Sequence, residues 1–520
     1  MVSSEYIDSV NQHPRENTVE PIGNEQVDGR QSYNGLEVLD DVGTKLHWRQ
    51  IRLLMISSTG FFMDAWGRKK IYGIELIIIT IATIFCATSA SAEAGLSAIA
   101  FLGFWRLILG IGIGGDYPLS ATITSEWASS KRRGQMIAAV FSMQGFGNVA
   151  AALVTLIVLA CFKVPVQNNV VNLDYVWRIC VGLGAVPAAA TVYFRLTLPE
   201  SPRYSVDVIG DKEAAQKALE INKWVPADDK EASLHHRDSL VPPNSEKGEQ
   251  NIEHISEVTN QNGTDIDEAK HSKRDFRAYF SKWTNLKVLL GTSLAWFLMD
   301  IAFYGTNLNQ SIILSQIGFA PKGLDPWDTL FKQALGNLIL SVLGALPGYI
   351  VTVFTVEILG RKPIQYMGFF IVGVLFIILG AAWNPIHTVN VALFIVLFAI
   401  IQFFFNFGPN STTFISPAEV FPTRHRSKAH GIAAASGKAG AIIATFGFNA
   451  LADVGGPPGA QTFLPDVLII FGVIMLIGMI PTMWVPESKG KSLAYFEKER
   501  LKPERDLWAI FKRKERTEQI

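Results

Sequence analysis

Several apolar stretches of this chain carry polar side chains that a hydrocarbon environment tolerates only at a cost. In Trp296-Phe-Leu-Met-Asp300-Ile-Ala-Phe-Tyr304, an indole, a carboxylate and a phenol recur every four residues, so on a helix they share one face. Two donors and a carboxylate on one stripe suit an oxyanion, and a carboxylate inside a membrane helix is a functional candidate by default. The alternative is a structural pairing of Asp300 with a basic residue of another helix. Lys438, in Ser436-Gly-Lys438, lies too deep in an apolar stretch to snorkel and must face a cavity or a counter-charge. Lysine is also a good point-charge partner for phosphate. Asp116-Tyr117 follows Gly110, Gly112, Gly114 and Gly115 and precedes Pro118. The glycines permit close helix approach. The Asp-Tyr-Pro run predicts a helix interrupted near the midplane, where a desolvated aspartate suits reversible protonation; the alternative is an aspartate capping a helix end. Asn410 follows Gly408-Pro409 at an expected helix break and offers donors and an acceptor. Gln144, in Phe141-Ser-Met-Gln144-Gly, either contacts a ligand or bonds a neighbouring helix.

These residues need elements long enough to hold them. The 520 residues are 49% hydrophobic and 18% charged, with a mean hydropathy of +0.24, but the charge is concentrated in 1–45, 199–285 and 486–520. The remainder holds windows longer than the roughly 18 apolar residues that cross a bilayer, which excludes a soluble globular enzyme. Ten full spans are expected: 71–90, 97–118, 135–162, 177–198, 286–315, 331–355, 364–383, 390–409, 429–451 and 466–485. Ile51 to Met63 forms a shorter apolar stub. Backbone groups in lipid must be satisfied within the segment, so the spans are helices and the fold is an all-α polytopic membrane protein. Lys+Arg and Asp+Glu are 46 each, which gives no footing for a nucleic acid partner. Cys86, Cys161 and Cys180 have no metal-type spacing, and the adjacent His235-His236 lies in the charged middle segment. No nucleotide loop, catalytic triad, cofactor or metal site is expected, and the polar first 45 residues hold no cleavable signal peptide.

Orientation follows from the short loops. Arg68 to Lys70, Lys131 to Arg133, Arg361-Lys362 and Arg424 to Lys428 together hold eleven basic residues, whereas the alternate loops hold Lys163 and Lys322. The first set is expected in the cytoplasm, with both termini and the long segment 199–285. The composition of that segment is that of a largely disordered linker. The chain also repeats itself. Asp64 to Lys70 is similar to Glu357 to Pro363, with Gly67 and Gly360 293 residues apart. Glu126 and Glu419 share that offset, and Pro199-Glu-Ser201 pairs with Pro486-Glu-Ser488. Two homologous bundles are expected: 46–198 and 286–485, flanked by the tails 1–45 and 486–520. The register exposes a deficit. Trp283 to Gly360 spans 77 residues and two helices, but Trp48 to Gly67 spans only 19. The first bundle is therefore expected to lack most of its helices 1 and 2.

The Gly-Arg-Lys loops and the Pro-Glu-Ser closures resemble the major facilitator superfamily. Arg106-Leu-Ile-Leu-Gly-Ile-Gly-Ile-Gly-Gly-Asp-Tyr-Pro-Leu-Ser120, Phe407-Gly-Pro-Asn410, Phe421-Pro-Thr-Arg424 and His430 to Lys438 resemble the fungal high-affinity inorganic phosphate:proton symporters. The resemblance implies a fold of two six-helix bundles and proton-coupled phosphate uptake at the plasma membrane by alternating access. It implies a phosphate site of Tyr117, Gln144, Trp296, Asp300, Tyr304, Asn410 and Lys438. Proton handling would fall to Asp116, Asp300 and, if it belongs to the first helix, Asp64. The partners would be inorganic phosphate, protons and lipid. Arg106 is expected as a buried structural charge. The missing helix pair motivates a different expectation, a transport-inactive product or a phosphate-sensing receptor. A facilitator of another anion or a sugar is a further alternative.

Overall fold

The computed structural model describes residues 68–89, 98–129, 131–197, 275–321, 324–385, 391–457, 461–493 and 495–496. Among them all regular structure is helical. The first bundle holds α1 (Arg68–Ala87), α2 (Ala98–Trp127), α3 (Arg133–Cys161), and α4 (Leu173–Leu183) followed directly by α5 (Ala185–Thr197). The second holds α6 (Trp283–Asn307), α7 (Pro326–Leu340), α8 (Leu346–Leu359), α9 (Arg361–Ala381), α10 (Val391–Asn406), α11 (Pro409–Val420), α12 (Thr423–Ala452) and α13 (Leu464–Ile477). A single π-turn, Ser341–Ala345, joins α7 to α8 as one passage. Each of the ten expected spans contains a helix. Nine passages among the described residues are long and apolar enough to cross a bilayer; in α1 the apolar part is Ile71–Ala87.

Local chemistry explains several boundaries. Asp325 caps α7, its carboxylate accepting from the Trp327 N–H at 3.2 Å, with Pro326 in the first turn, where its missing N–H costs nothing. Gly360 reverses the chain between α8 and α9 at φ +96°, a conformation that side chains disfavour. A Cβ there would also stand 2.9 Å from the Glu487 carboxylate. Pro118 corrects an expectation: α2 runs through it to Trp127 without interruption. Pro118 donates no N–H to the Gly114 carbonyl, a loss of one bond that the helix absorbs. Asp116 therefore lies inside a helix and caps no end. The break expected at Gly408-Pro409 is present between α10 and α11.

The bundles meet along α3 against α8 and α2 against α12, with α11 packed on both α2 and α3. One apolar core carries Ala121, Ile137 and Phe141 of the first bundle together with Trp296, Phe376, Phe405 and Phe414 of the second. The two halves differ in cover. Between 39 and 61% of the apolar windows of the second bundle is buried, but only 11% in α2, 22% in α3 and 6% across 170–197. Among the described residues the first bundle offers three membrane-length passages and the shorter α1, against six in the second. The stretch 48–67, where the deficit is expected, lies outside the described residues, as do the N-terminal tail, Asp64 and most of 199–285. The end of that segment is helical, and Phe276, Tyr279 and Phe280 surround the His425 ring.

Candidate functional site

The α6 stripe holds as expected. Trp296 and Asp300 are buried, 2% and 1% exposed. From α12, Lys438 Nζ donates to the Tyr304 hydroxyl at 2.5 Å and stands 3.5 Å from Asp300 Oδ2. Gly437 makes this approach possible, because a Cβ there would lie 2.8 Å from both the Trp296 Nε1 and the Asp300 Oδ2. The first bundle adds Tyr117, which places its ring 5.1 Å from Lys438 Nζ. Cation–π attraction from the Tyr117 and Tyr304 rings supplements the ion pair. Asp300, Tyr304 and Tyr117 thus converge on the Lys438 ammonium. The Lys438 side chain is 40% exposed and the Asp300 side chain 2%, so within the pair Lys438 is the group an incoming anion can reach. The structural alternative raised for Asp300, a basic partner on another helix, is part of the same arrangement.

Gln144 and Asn410 belong to an adjoining polar group organised by Tyr349, which the sequence reading did not single out. The Tyr349 hydroxyl donates to Gln144 Oε1 at 3.0 Å and accepts from Asn410 Nδ2 at 2.8 Å. Asn410 also donates to Asn406 Oδ1 at 2.7 Å. Both readings of Gln144 meet here: it bonds a neighbouring helix and lines a cavity. The aromatic rings of Phe141 and Phe414 stack at 4.4 Å between the bundles, with Tyr117, Tyr349 and Trp296 on their edges. Asn406 and Asn410 stand four residues apart, a spacing that would have flagged that face. Tyr349 gave no such signal, since a tyrosine in an apolar window reads as core.

Two candidates fall elsewhere. Asp116 is ion-paired with Arg195 of α5, whose guanidinium lies 4.0 Å over the Tyr72 ring; it is not part of the Lys438 cluster. A charge near the end of the 177–198 window was the available clue to Arg195. Arg106 is exposed on α2, contrary to the expected burial, because no described helix covers that face.

A cavity of about 390 Å³ extends from Gln144 and Tyr304 past Asn148, Asn307, Asn337 and Gln402, within the usual range for small-ligand sites. Asn307 and Asn337 lie in the halves of their passages remote from the basic loops, and Gln144, Asn148 and Gln402 lie near mid-passage. The basic end is closed by contacts between bundles. Glu357 of α8 accepts from the N–H groups of Gly134 and Gln135 at 2.7 and 3.3 Å, placing a carboxylate on the N-terminus of α3, where the helix dipole favours it. Arg426 and Glu126 pair at 3.4 Å with both side chains fully buried. Arg361 bridges Glu357 and Glu419 at 2.7 and 2.8 Å, and Ser488 donates to Glu419 at 2.6 Å. The loops read as topological signals therefore also supply the closure.

The model of the sugar (and other) transporter family matches residues 55–499. The chain is 43% identical over 450 residues to the inorganic phosphate transporter PHO84 of Saccharomyces cerevisiae, covering 84% of this chain and 73% of that protein. It is 42% identical to the repressible high-affinity phosphate permease of Neurospora crassa, covering 84% and 76%, and 38% identical to the inorganic phosphate transporter 1-4 of Arabidopsis thaliana, covering 84% and 79%. Among solved structures it is similar to the major facilitator proton:xylose symporter XylE, with a TM-score of 0.59 at 21% identity over 86% of this chain and 87% of that one. That likeness carries the fold.

Proposed function

This chain belongs to the sugar (and other) transporter family of the major facilitator superfamily, among its inorganic phosphate transporters, and on that premise we propose that it takes up inorganic phosphate together with protons across the plasma membrane. The observation that carries the reading is the Lys438–Asp300–Tyr304 contact: a reachable ammonium for the anion beside a buried carboxylate for the proton. With Asp300 protonated, Lys438 is released to neutralise phosphate, and Tyr117, Trp296, Gln144 and Asn410 supply donors. Loss of the proton restores the Asp300 charge, which competes for Lys438 and expels the anion. Asp116 is engaged by Arg195, so the proton step is assigned to Asp300; Asp64 keeps its place as a candidate from the sequence only.

With the basic loops and both termini in the cytoplasm, the closed end faces inward and the cavity opens outward. Alternating access then requires the Glu126–Arg426 and Glu357–α3 contacts to break while the far end closes. No resident cofactor enters this cycle; the coupling ion is the proton. Uptake of labelled phosphate in yeast lacking its own phosphate transporters tests the reading. Accumulation should rise as the outside is acidified and collapse with a protonophore. Uptake indifferent to the proton gradient rejects proton coupling.

A second reading rests on the uncovered first bundle. With 6–22% of those windows buried, an unsealed bundle would bind phosphate without carrying it, as an inactive or sensing protein. Normal surface abundance with phosphate binding but no uptake would select this reading over the first.

A further inference from the structure

Residues 275–280 form a short helix just ahead of α6, and its two sides differ. Inward, the rings of Phe276, Tyr279 and Phe280 surround His425 of α12 at 5.7, 4.8 and 6.2 Å. Phe280 also meets Phe421 at 5.9 Å, and Asn285 Nδ2 of α6 donates to the Tyr279 carbonyl at 3.0 Å. These contacts fix the segment against the ends of α6, α11 and α12. Outward stand Arg277, Lys282 and Trp283, all exposed, Trp283 at 58%. Lys287 follows one turn into α6 and is partly exposed. Trp283, Lys287, Leu290 and Leu294 share one helix face by their spacing, and Leu294 is exposed as well, so this face meets lipid. Helical side chains lean toward the N-terminus, which brings the Lys287 ammonium back toward Trp283. None of these three cations is ion-paired among the described residues. The stretch 273–287 holds five basic residues and one acid, and that acid, Asp275, faces His425 at 3.5 Å.

An aromatic ring at the end of a span, with cations beside it and leucines below, is suited to headgroup depth. The cytoplasmic leaflet carries negative charge that juxtamembrane cations attract. Cations presented on a backbone already fixed by the His425 contacts lose less freedom on binding than cations on a loose chain. With the basic loops in the cytoplasm, we propose that Arg277, Lys282, Trp283 and Lys287 form a binding surface for anionic phospholipid headgroups of the cytoplasmic leaflet. The cations pair with the phosphodiester and carboxylate of a lipid such as phosphatidylserine. The Trp283 ring lies at the level of its glycerol, and Leu290 and Leu294 continue along its acyl chains. A zwitterionic headgroup brings its own ammonium and gains little from these cations. The surface is separate from the Lys438 cluster and stands whether or not the chain carries phosphate.

The test is native mass spectrometry of the purified full-length chain in a neutral detergent, counting bound lipid as phosphatidylserine or phosphatidylcholine is titrated in. Phosphatidylserine should bind the unaltered chain more tightly than phosphatidylcholine, and inorganic phosphate should displace none of it. Combining Arg277→Gln, Lys282→Gln and Lys287→Gln should weaken phosphatidylserine about a hundredfold, roughly fivefold for each cation, and leave phosphatidylcholine unchanged. Lys131→Gln with Arg132→Gln removes cations from an exposed loop of the first bundle and should leave both lipids unchanged. Thermal unfolding checks that the variants are folded. Should the triple variant fail to fold, Arg277→Gln with Lys282→Gln, both at exposed positions, repeats the test with an expected loss of about 25-fold. Folded variants that keep the original affinity overturn the proposal, as does an equal loss in the Lys131 and Arg132 variant. Phosphatidylcholine binding as tightly as phosphatidylserine also overturns it. Displacement by inorganic phosphate would mark a site for the free anion and overturn it too.

Discussion

Tyr349 of the second bundle donates its hydroxyl hydrogen to Gln144 of the first at 3.0 Å, and the same oxygen accepts from Asn410. One buried hydroxyl thus ties the bundles together at the level of the candidate site. Tyr349→Phe keeps the ring and its edge contact with Phe141, but leaves Gln144 Oε1 and one Asn410 N–H short of a partner. That costs about 1–3 kcal/mol, and the half-saturation concentration for phosphate should rise roughly tenfold. Steady-state uptake over a range of phosphate concentrations checks it; an unchanged value would reduce the hydroxyl to packing.

Lys438→Gln removes the partner of a carboxylate whose side chain is 2% exposed. Breaking a fully buried pair costs about 3–5 kcal/mol, and the partial exposure of Lys438 brings the expectation down to about 2–3 kcal/mol. Adding Asp300→Asn removes the orphaned charge, so the double variant should recover thermal stability without recovering uptake. Recovery of both would make the pair purely structural.

Asp300→Asn alone keeps the shape of the side chain and removes its ability to exchange a proton. Phosphate binding should survive, because Lys438 remains, while proton-driven accumulation should stop. Normal accumulation by this variant would move the proton step elsewhere.

The Asp116–Arg195 pair joins the spans α2 and α5, where a charge left without its partner is costly. Arg195→Gln should lower the unfolding temperature, and Asp116→Asn should do likewise while uptake persists. A folded Asp116→Asn chain that no longer couples uptake to protons would return Asp116 to the proton path.

Glu126→Gln weakens the buried cross-bundle contact with Arg426 and favours opening of the basic end. A cysteine placed at Ser416 of α11, now 4% exposed, should then react faster with a reagent supplied from that side. An unchanged labelling rate would show that the Glu357 contacts hold the closure without it.

The sequence alone determined the helices, because backbone in hydrocarbon has no partner but itself and apolar length is written directly in residue types. It also determined which face of α6 carries Trp296, Asp300 and Tyr304, since a four-residue spacing is a local property of one helix. The intramembrane charges Asp300 and Lys438 stood out for the same reason: their cost depends on the segment that holds them. What the sequence could not contain was who meets whom. Asp116 and Asp300 look alike as buried carboxylates, and only packing turned one to Arg195 and the other to Lys438. Pro118 and Pro409 look alike as helix breakers, yet α2 runs through the first and the chain breaks just before the second. Tyr349 was invisible because a tyrosine in an apolar window acquires meaning from residues on other helices, here Gln144 and Asn410. Those pairings join residues about 60 to 200 positions apart, and they follow from the geometry of helix packing, which no local pattern encodes.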